Sequence, residues 1–128
     1  MAADSKAIVD RFVTTVFERH DLSELDDLVS NEALKQAAPG LIAAFPDLAL
    51  TREHFIAEGD VVALRVTARG THLGELRGIP PTGKPWEATA SAWYLVENDK
   101  IADYWINWDW LAIFEQIGAV QMVEPALR

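Results

Sequence analysis

The most distinctive chemical feature of the chain is an aspartate set among tryptophans. The segment Trp105–Trp110 reads WINWDW, so three of the five tryptophans lie within six residues and Asp109 stands between the last two. An ionised carboxylate is costly to bury among indole rings unless it is paired, hydrogen-bonded or protonated. Two roles fit Asp109. It caps the apolar helical segment that follows it, or it transfers protons in a water-poor pocket.

Other catalytic and metal-binding patterns have little support in the sequence. His20, His54 and His72 are far apart and lack the i,i+4 or H-x-H spacing of a metal site, and the chain has no cysteine. The segment GIPPTGKP at 78–85 nearly matches a phosphate-binding loop. However, Pro85 replaces the magnesium-binding hydroxyl, and a strand is predicted to follow where that loop requires a helix. We therefore expect a protein without metal or cofactor.

The bulk composition is that of one folded domain, which we expect to span residues 1–128. The 11 Lys and Arg stand against 20 Asp and Glu, so the net charge is −9. A charge of that sign disfavours nucleic acid and anionic lipid surfaces as partners. No stretch approaches the roughly 18 apolar residues of a membrane span, and we see no leader peptide. We therefore expect a cytoplasmic protein that does not bind membranes.

The first third of the chain has the pattern of three helices. Apolar residues recur at helical spacing over residues 5–19, which predicts an amphipathic helix. Asp21, with a glutamate three residues later, predicts a capping box and a short second helix ending near residue 30. A third helix is predicted over residues 32–44, interrupted at Pro39.

The rest of the chain has the pattern of an antiparallel sheet. Segments rich in β-branched and aromatic residues, separated by the turn signals EGD and ENDK, predict strands over 48–57, 61–70, 85–96 and 101–108. The run GTHLGELRGIPPTGKP predicts a long excursion between the second and third strands. A short helix ending near Gly118 follows Asp109. Helices followed by a curved antiparallel sheet predict an α+β fold.

The third strand has one face made almost entirely of alanine. Because side chains alternate along a strand, one side carries Trp86, Ala88, Ala90, Ala92 and Tyr94. Small residues there either let a helix pack closely or leave a hollow between the sheet and the helices. In the last strand Trp105, Asn107 and Asp109 share one side. The sequence leaves both readings of the alanine face open.

Spaced motifs in the second half resemble the SnoaL-like polyketide cyclases and ester cyclases of the nuclear-transport-factor-type cone fold. The runs GTHLGELRGIPPTGK, ENDKIADYW, an aspartate and FEQIG match a pattern close to G-x-H-x-G-x-x-x-G-x-P-P-T, D-G-K-I and Q-L-G, over roughly Gly70 to Gly118. The resemblance implies three N-terminal helices packed into a strongly curved sheet that encloses an apolar pocket. It also implies a homodimer.

The resemblance further implies a cofactor-independent cyclase or isomerase that acts on a hydrophobic, polyketide-like molecule, with Asp109 as the acid/base. The family's supporting histidine and glutamine align with Ala92 and Ala90, which predicts a larger and more apolar pocket. Tyr94, Asn107 and His54 are the polar groups expected to polarise an oxygen. The side chains expected to bind substrate are Phe45, His54, Trp86, Ala88, Ala90, Ala92, Tyr94, Trp105 and Asn107.

Two other functions remain open on the same scaffold. An epoxide-opening enzyme would use a second carboxylate, for which Asp103 is the candidate. A binding or dimerisation module would hold a ligand or partner without chemistry.

Overall fold

The computed structural model describes residues 4–120, which form helices followed by a four-stranded sheet and a last helix. The helices are α1 (Ser5–Phe12), a π-helical continuation (Val13–Glu18), α2 (Leu25–Leu28), α3 (Glu32–Ala44) and α4 (Trp110–Gln116). The strands are β1 (Ala49–Glu58), β2 (Val61–Thr71), β3 (Pro85–Glu97) and β4 (Lys100–Trp108). The predicted α+β class and the four strands are confirmed.

The first helix is amphipathic and changes its hydrogen-bond pattern halfway. Asp4 caps it by accepting a hydrogen bond from the Lys6 N–H at 3.0 Å, and its buried face includes Phe12. Beyond Phe12 the backbone widens into a π-helix, in which the Arg19 N–H reaches the Thr14 carbonyl at 2.9 Å. The single helix predicted over residues 5–19 is therefore two helical segments of different pitch.

The second helix is shorter than predicted, and the capping box is wrong. Asp21 accepts a hydrogen bond from the Ser23 N–H at 2.9 Å, which makes a local turn in place of a helix start. Glu24 forms an ion pair with Arg11 of α1 and so does not reach back to cap the helix. The helix begins only at Leu25.

The third helix has the predicted bounds, but Pro39 does not interrupt it. Asn31 caps it by accepting from the Leu34 N–H at 3.0 Å. Pro39 lies inside the helix and removes one i to i−4 hydrogen bond without ending it. The Phe45 N–H still bonds to the Leu41 carbonyl, and Phe45 is the first residue beyond the helix.

The strands form one antiparallel sheet in the order β1-β2-β3-β4, and the helices pack on its concave side. Phe12 of α1 contacts Tyr94 of β3, with ring centroids 5.8 Å apart. Arg52 of β1 donates hydrogen bonds to Asp10, Thr14 and Glu18, which fixes the helical layer to the edge strand. The side of the sheet that faces away from the helices is called the outer face below.

Two β-bulges decide which side chains face the helices. In β1 the pairing with β2 shifts between Arg52 and His54. In β4 Ile101 pairs with Val96 but Asp103 pairs with Leu95, so Ala102 is the extra residue. Each extra residue reverses the inward and outward alternation of the side chains beyond it.

Residues 72–84 form a folded loop that packs on the end of α3. The N–H groups of Leu73 and Gly74 both bond to the Ala44 carbonyl, at 3.1 and 3.0 Å. His72 is fully buried, and its Nδ1 accepts from the Thr82 N–H at 3.2 Å. The bonds to Ala44 hold the loop, which the sequence predicted as a long connection between β2 and β3, against the helical layer. Within residues 4–120 no helix is long and apolar enough to cross a membrane.

Candidate functional site

A cavity of about 440 Å³ lies between the concave side of the sheet, α3, the loop 72–84 and α4. Its volume falls within the range of small-molecule sites, roughly 300–1,000 Å³. It is lined by Phe17, Leu34, Ala37, Ala38, Gly40, Leu41, Glu75, Leu76, Arg77, Tyr94, Tyr104, Ile106, Trp108 and Trp110. Most of this lining is apolar or aromatic.

The mouth of the cavity lies between α3 and the loop, where the exposed lining residues Ala37, Gly40, Glu75 and Arg77 meet solvent. The Arg77 guanidinium lies over the Trp110 ring, 4.4 Å from its centroid, a cation–π contact. Both charged groups of the described lining are at this mouth, so residues 4–120 place no charged side chain in the deeper part of the cavity.

A small apolar recess of about 20 Å³ adjoins the cavity. Phe17, Tyr94, Ile106 and Trp108 line both the cavity and the recess. The recess is also lined by Ala90 and Ala92 of the alanine face. A space of this size holds about one water molecule. The alanines therefore leave only a small hollow, and most of the cavity lies nearer the mouth.

Tyr94 and Tyr104 place the only phenol groups of the chain on the cavity wall. They are partners on neighbouring strands. Tyr94 is 2% exposed, and burial raises the pKa of its phenol well above the usual value, with a smaller contribution from Tyr104. No hydrogen bond from residues 4–120 reaches the Tyr94 hydroxyl. Tyr94 is thus a neutral hydrogen-bond donor at physiological pH.

Asp109 caps α4 and is exposed. Its Oδ1 accepts from the Ala112 N–H at 3.1 Å, and its own N–H bonds to the Thr89 carbonyl at 3.1 Å. Its side chain does not line the cavity, although the tryptophans on either side of it do. The capping role inferred from sequence is therefore present in the structure. Within the described residues, no hydrogen bond occupies Oδ2.

Three of the expected substrate-binding side chains lie on the outer face, and their expected positions are corrected. Trp105 and Asn107 point away from the cavity because the bulge at Ala102 turns Tyr104, Ile106 and Trp108 inward instead. His54 points outward because the bulge in β1 falls just before it. It lines a shallow outer groove that includes Trp93.

The other expected residues divide between the cavity and the core beneath it. Ala90, Ala92 and Tyr94 line the cavity or its recess. Phe45, Trp86 and Ala88 are buried in the core. The Trp86 ring packs on Phe45, with centroids 4.7 Å apart, and on Trp108 at 6.3 Å. These core residues support the cavity wall without forming it.

Sequence reasoning missed Tyr104, Glu75 and Arg77. Tyr104 was detectable as the only other tyrosine, one strand away from Tyr94, but its inward direction depends on the bulge. Glu75 and Arg77 lie in the loop that the sequence marked only by its glycines and prolines. No group of three or more potential metal ligands occurs within residues 4–120.

A curved antiparallel sheet with helices on its concave side and an apolar cavity between them defines a cone-like α+β protein. The sequence profile of the SnoaL-like polyketide cyclases matches residues 3–117. The chain therefore belongs to the SnoaL-like polyketide cyclase family, as its motifs predicted. A comparison with curated protein sequences gave no match.

Several solved structures share this fold. AclR from Streptomyces galilaeus, a proposed hydroxylase, is 27% identical over 94% of this chain and 88% of its own, with a TM-score of 0.79. IdmH from Streptomyces antibioticus, a proposed polyketide cyclase, is 26% identical over 91% and 99%, with a TM-score of 0.73. TsrD from Streptomyces laurentii, at 23% identity over 94% and 100% with a TM-score of 0.78, shares the fold.

Proposed function

We propose that the protein is a cofactor-independent cyclase or isomerase that acts on a hydrophobic, polyketide-like small molecule. The observation that carries the proposal is the apolar, aromatic cavity of about 440 Å³ in a chain of the polyketide cyclase family. Its charged groups are confined to the mouth, and its buried polar group is a phenol. Such a site favours an uncharged, largely apolar ligand with few oxygens.

The proposed reaction is an intramolecular aldol-type ring closure with Asp109 as the proton carrier. The Asp109 carboxylate removes a proton from a carbon next to a ketone, and the electron pair of the broken C–H bond forms the enolate. The enolate carbon bonds to a second carbonyl carbon, whose oxygen takes the electron pair and then receives the proton from Asp109. Protons and electrons balance without a cofactor.

Asp109 is proposed for this role on three grounds. By the resemblance it matches the family's acid/base position, it lies between two cavity-lining tryptophans, and its Oδ2 is not engaged by the described residues. Its carboxylate is exposed beside the cavity lining, so the proposal requires the reacting carbon to lie at that edge of the cavity. Epoxide opening is less well supported, because Asp103 lies on the outer face and bonds to the adjacent Tyr104 N–H at 2.8 Å.

Blocking the mouth is expected to prevent ligand binding. The probe ligand is β-isobutylnaphthalene, an uncharged aromatic hydrocarbon. In Ala37→Trp, an indole at an exposed position of α3 would fill the entrance and raise the Kd for this probe roughly tenfold or more, equivalent to about 1.4 kcal/mol. Isothermal titration calorimetry measures the Kd. Gln36→Trp is the matched control, because residue 36 is also exposed on the same helix but does not line the cavity. Equal affinities for both variants would refute the cavity as the ligand site.

We also propose that the protein is a homodimer, as the family resemblance implied, and that the outer face forms its interface. Trp93 and Trp105 are partners on neighbouring strands and are 49% and 52% exposed. Ile56, at 64%, adds to the exposed apolar surface of this face. Exposed apolar surface of this kind is typical of interfaces, and a two-fold axis would pair it with itself.

A charge in this patch is expected to separate the subunits. Trp105→Lys should convert a species of twice 14.2 kDa into one of 14.2 kDa in sedimentation equilibrium, because a buried unpaired ammonium is costly at an interface. Leu73→Lys is the control, since Leu73 is 53% exposed but lies in the loop after β2. A dimer that survives Trp105→Lys, or a monomeric wild type, would contradict the proposal.

A further inference from the structure

We infer that Tyr94, assisted by Tyr104, binds a carbonyl oxygen of the ligand inside the cavity. This inference rests on the proposed function and names the ligand group that the site recognises: a neutral carbonyl attached to an apolar or aromatic body. Tyr94 would donate its hydroxyl proton to that oxygen while the ligand's apolar part occupies the space between α3, Trp108 and Trp110. No covalent step is involved.

The burial of Tyr94 is the first observation behind this assignment. The residue is 2% exposed, and its ring is held edge-on to Phe12 in the core. Its side chain nevertheless lines both the cavity and the recess. Within residues 4–120 no group hydrogen-bonds to its hydroxyl, so the hydroxyl is available to a ligand oxygen in the cavity that Tyr94 lines.

The position of Tyr94 along the cavity is the second observation. Tyr94 lines both the cavity, whose described charged groups lie at the mouth, and the recess, whose other described lining residues are apolar or aromatic. Tyr104 faces the same space from the neighbouring strand and adds a second phenol. Two neutral donors in an apolar cavity suit a carbonyl oxygen, and they also suit the greater negative charge that the oxygen would carry in an enolate.

The protonation state of Tyr94 agrees with a donor role. Burial raises the pKa of its phenol, so the group keeps its proton well beyond neutral pH. A phenol in this state donates a hydrogen bond without exchanging its proton. Tyr94 is therefore assigned as a substrate-positioning and oxyanion-stabilising residue, and proton transfer is left to a carboxylate.

A matched pair of ligands tests this inference. The ketone β-naphthylacetone and the hydrocarbon β-isobutylnaphthalene have the same aromatic body and similar size, but a methyl group replaces the carbonyl oxygen in the hydrocarbon. Calorimetric Kd values are compared for wild type, Tyr94→Phe and Tyr104→Phe, since phenylalanine keeps the ring and removes only the hydroxyl. Tyrosine labelled with ¹³C at Cζ gives two NMR signals in this chain, one from each tyrosine, and Tyr94→Phe assigns them.

We expect Tyr94→Phe to weaken ketone binding about two- to tenfold, the effect of one neutral hydrogen bond, and to leave the hydrocarbon unchanged. Tyr104→Phe should have a smaller effect of the same kind. In wild type the ketone, but not the hydrocarbon, should shift the Tyr94 Cζ signal and lower the carbonyl stretching frequency of the bound ketone. A purely structural role would change the Kd of both ligands together.

Two results would overturn the inference in distinguishable ways. If wild type binds both ligands but Tyr94→Phe weakens neither or both equally, Tyr94 does not bind the carbonyl, while the proposed cavity function stands. If wild type binds neither ligand, both the inference and the proposed substrate class fail.

Discussion

Replacing Gly74 by alanine is expected to destabilise the protein by about 3 kcal/mol or more, or to prevent folding. A Cβ at this position would lie 2.0 Å from the carbonyl oxygen of Ala43 and 2.9 Å from its carbonyl carbon. Both are backbone atoms at the end of α3. The loop cannot move away without losing the hydrogen bonds that Leu73 and Gly74 donate to Ala44. Urea denaturation followed by circular dichroism measures the free energy of unfolding.

Gly40→Ala is the matched control for this prediction. Gly40 lies within α3, and a Cβ there would meet no atom within 4 Å. Alanine should therefore raise the free energy of unfolding by about 0.5–1 kcal/mol, because glycine loses more backbone entropy in a helix. If Gly74→Ala were as stable as wild type, the close packing of the loop on α3 would be wrong. This loop also carries Glu75 and Arg77, so the same contact positions the mouth of the cavity.

The second large effect is expected for Asp109→Asn, which should slow catalysed proton exchange by about 10²- to 10⁴-fold. Asparagine caps a helix about as well as aspartate, so α4 and the fold should be retained. The variant therefore separates the capping role seen in the structure from the proposed proton transfer. The measurement is the rate of deuterium incorporation from deuterated water into the methylene group of β-naphthylacetone, followed by NMR.

Two further carboxylates serve as controls for Asp109. Among residues 4–120, Glu75 is the only acidic side chain in the cavity lining and lies at the mouth, whereas Asp103 lies on the outer face. Glu75→Gln and Asp103→Asn should each keep most of the exchange rate. If Glu75→Gln were inactive and Asp109→Asn fully active, the proton carrier would be Glu75. Asp109 would then serve only as a helix cap.

Local patterns in the sequence were sufficient to predict most of the secondary structure. The helix over residues 32–44 has the predicted bounds, and the four strands followed from turn signals and β-branched residues. The second helix was misplaced because Asp21 makes a local turn and Glu24 binds Arg11, a contact between residues far apart in sequence. Local patterns do not contain such contacts.

The candidate site was harder to predict because two single-residue bulges set its lining. If the pairing of β3 with β4 next to the ENDK turn continued without a bulge, Tyr94 would lie opposite Asp103, and Trp105 and Asn107 would face inward. The extra residue Ala102 shifts the pairing by one, so Tyr94 faces Tyr104. The bulge before His54 has the same effect in β1. No turn residue marks either bulge, so strand alternation alone assigned these side chains to the wrong face.

The rate at which wild-type protein exchanges the methylene protons of bound β-naphthylacetone with deuterated water tests the central claim most directly. Ring closure by acid/base chemistry begins with removal of a proton next to a carbonyl, and this assay observes that step without the natural substrate. The proposed function predicts exchange well above the uncatalysed rate, saturating at the ketone's calorimetric Kd. Tight binding of the ketone with exchange at the uncatalysed rate would contradict it and would leave a binding protein on a cyclase fold.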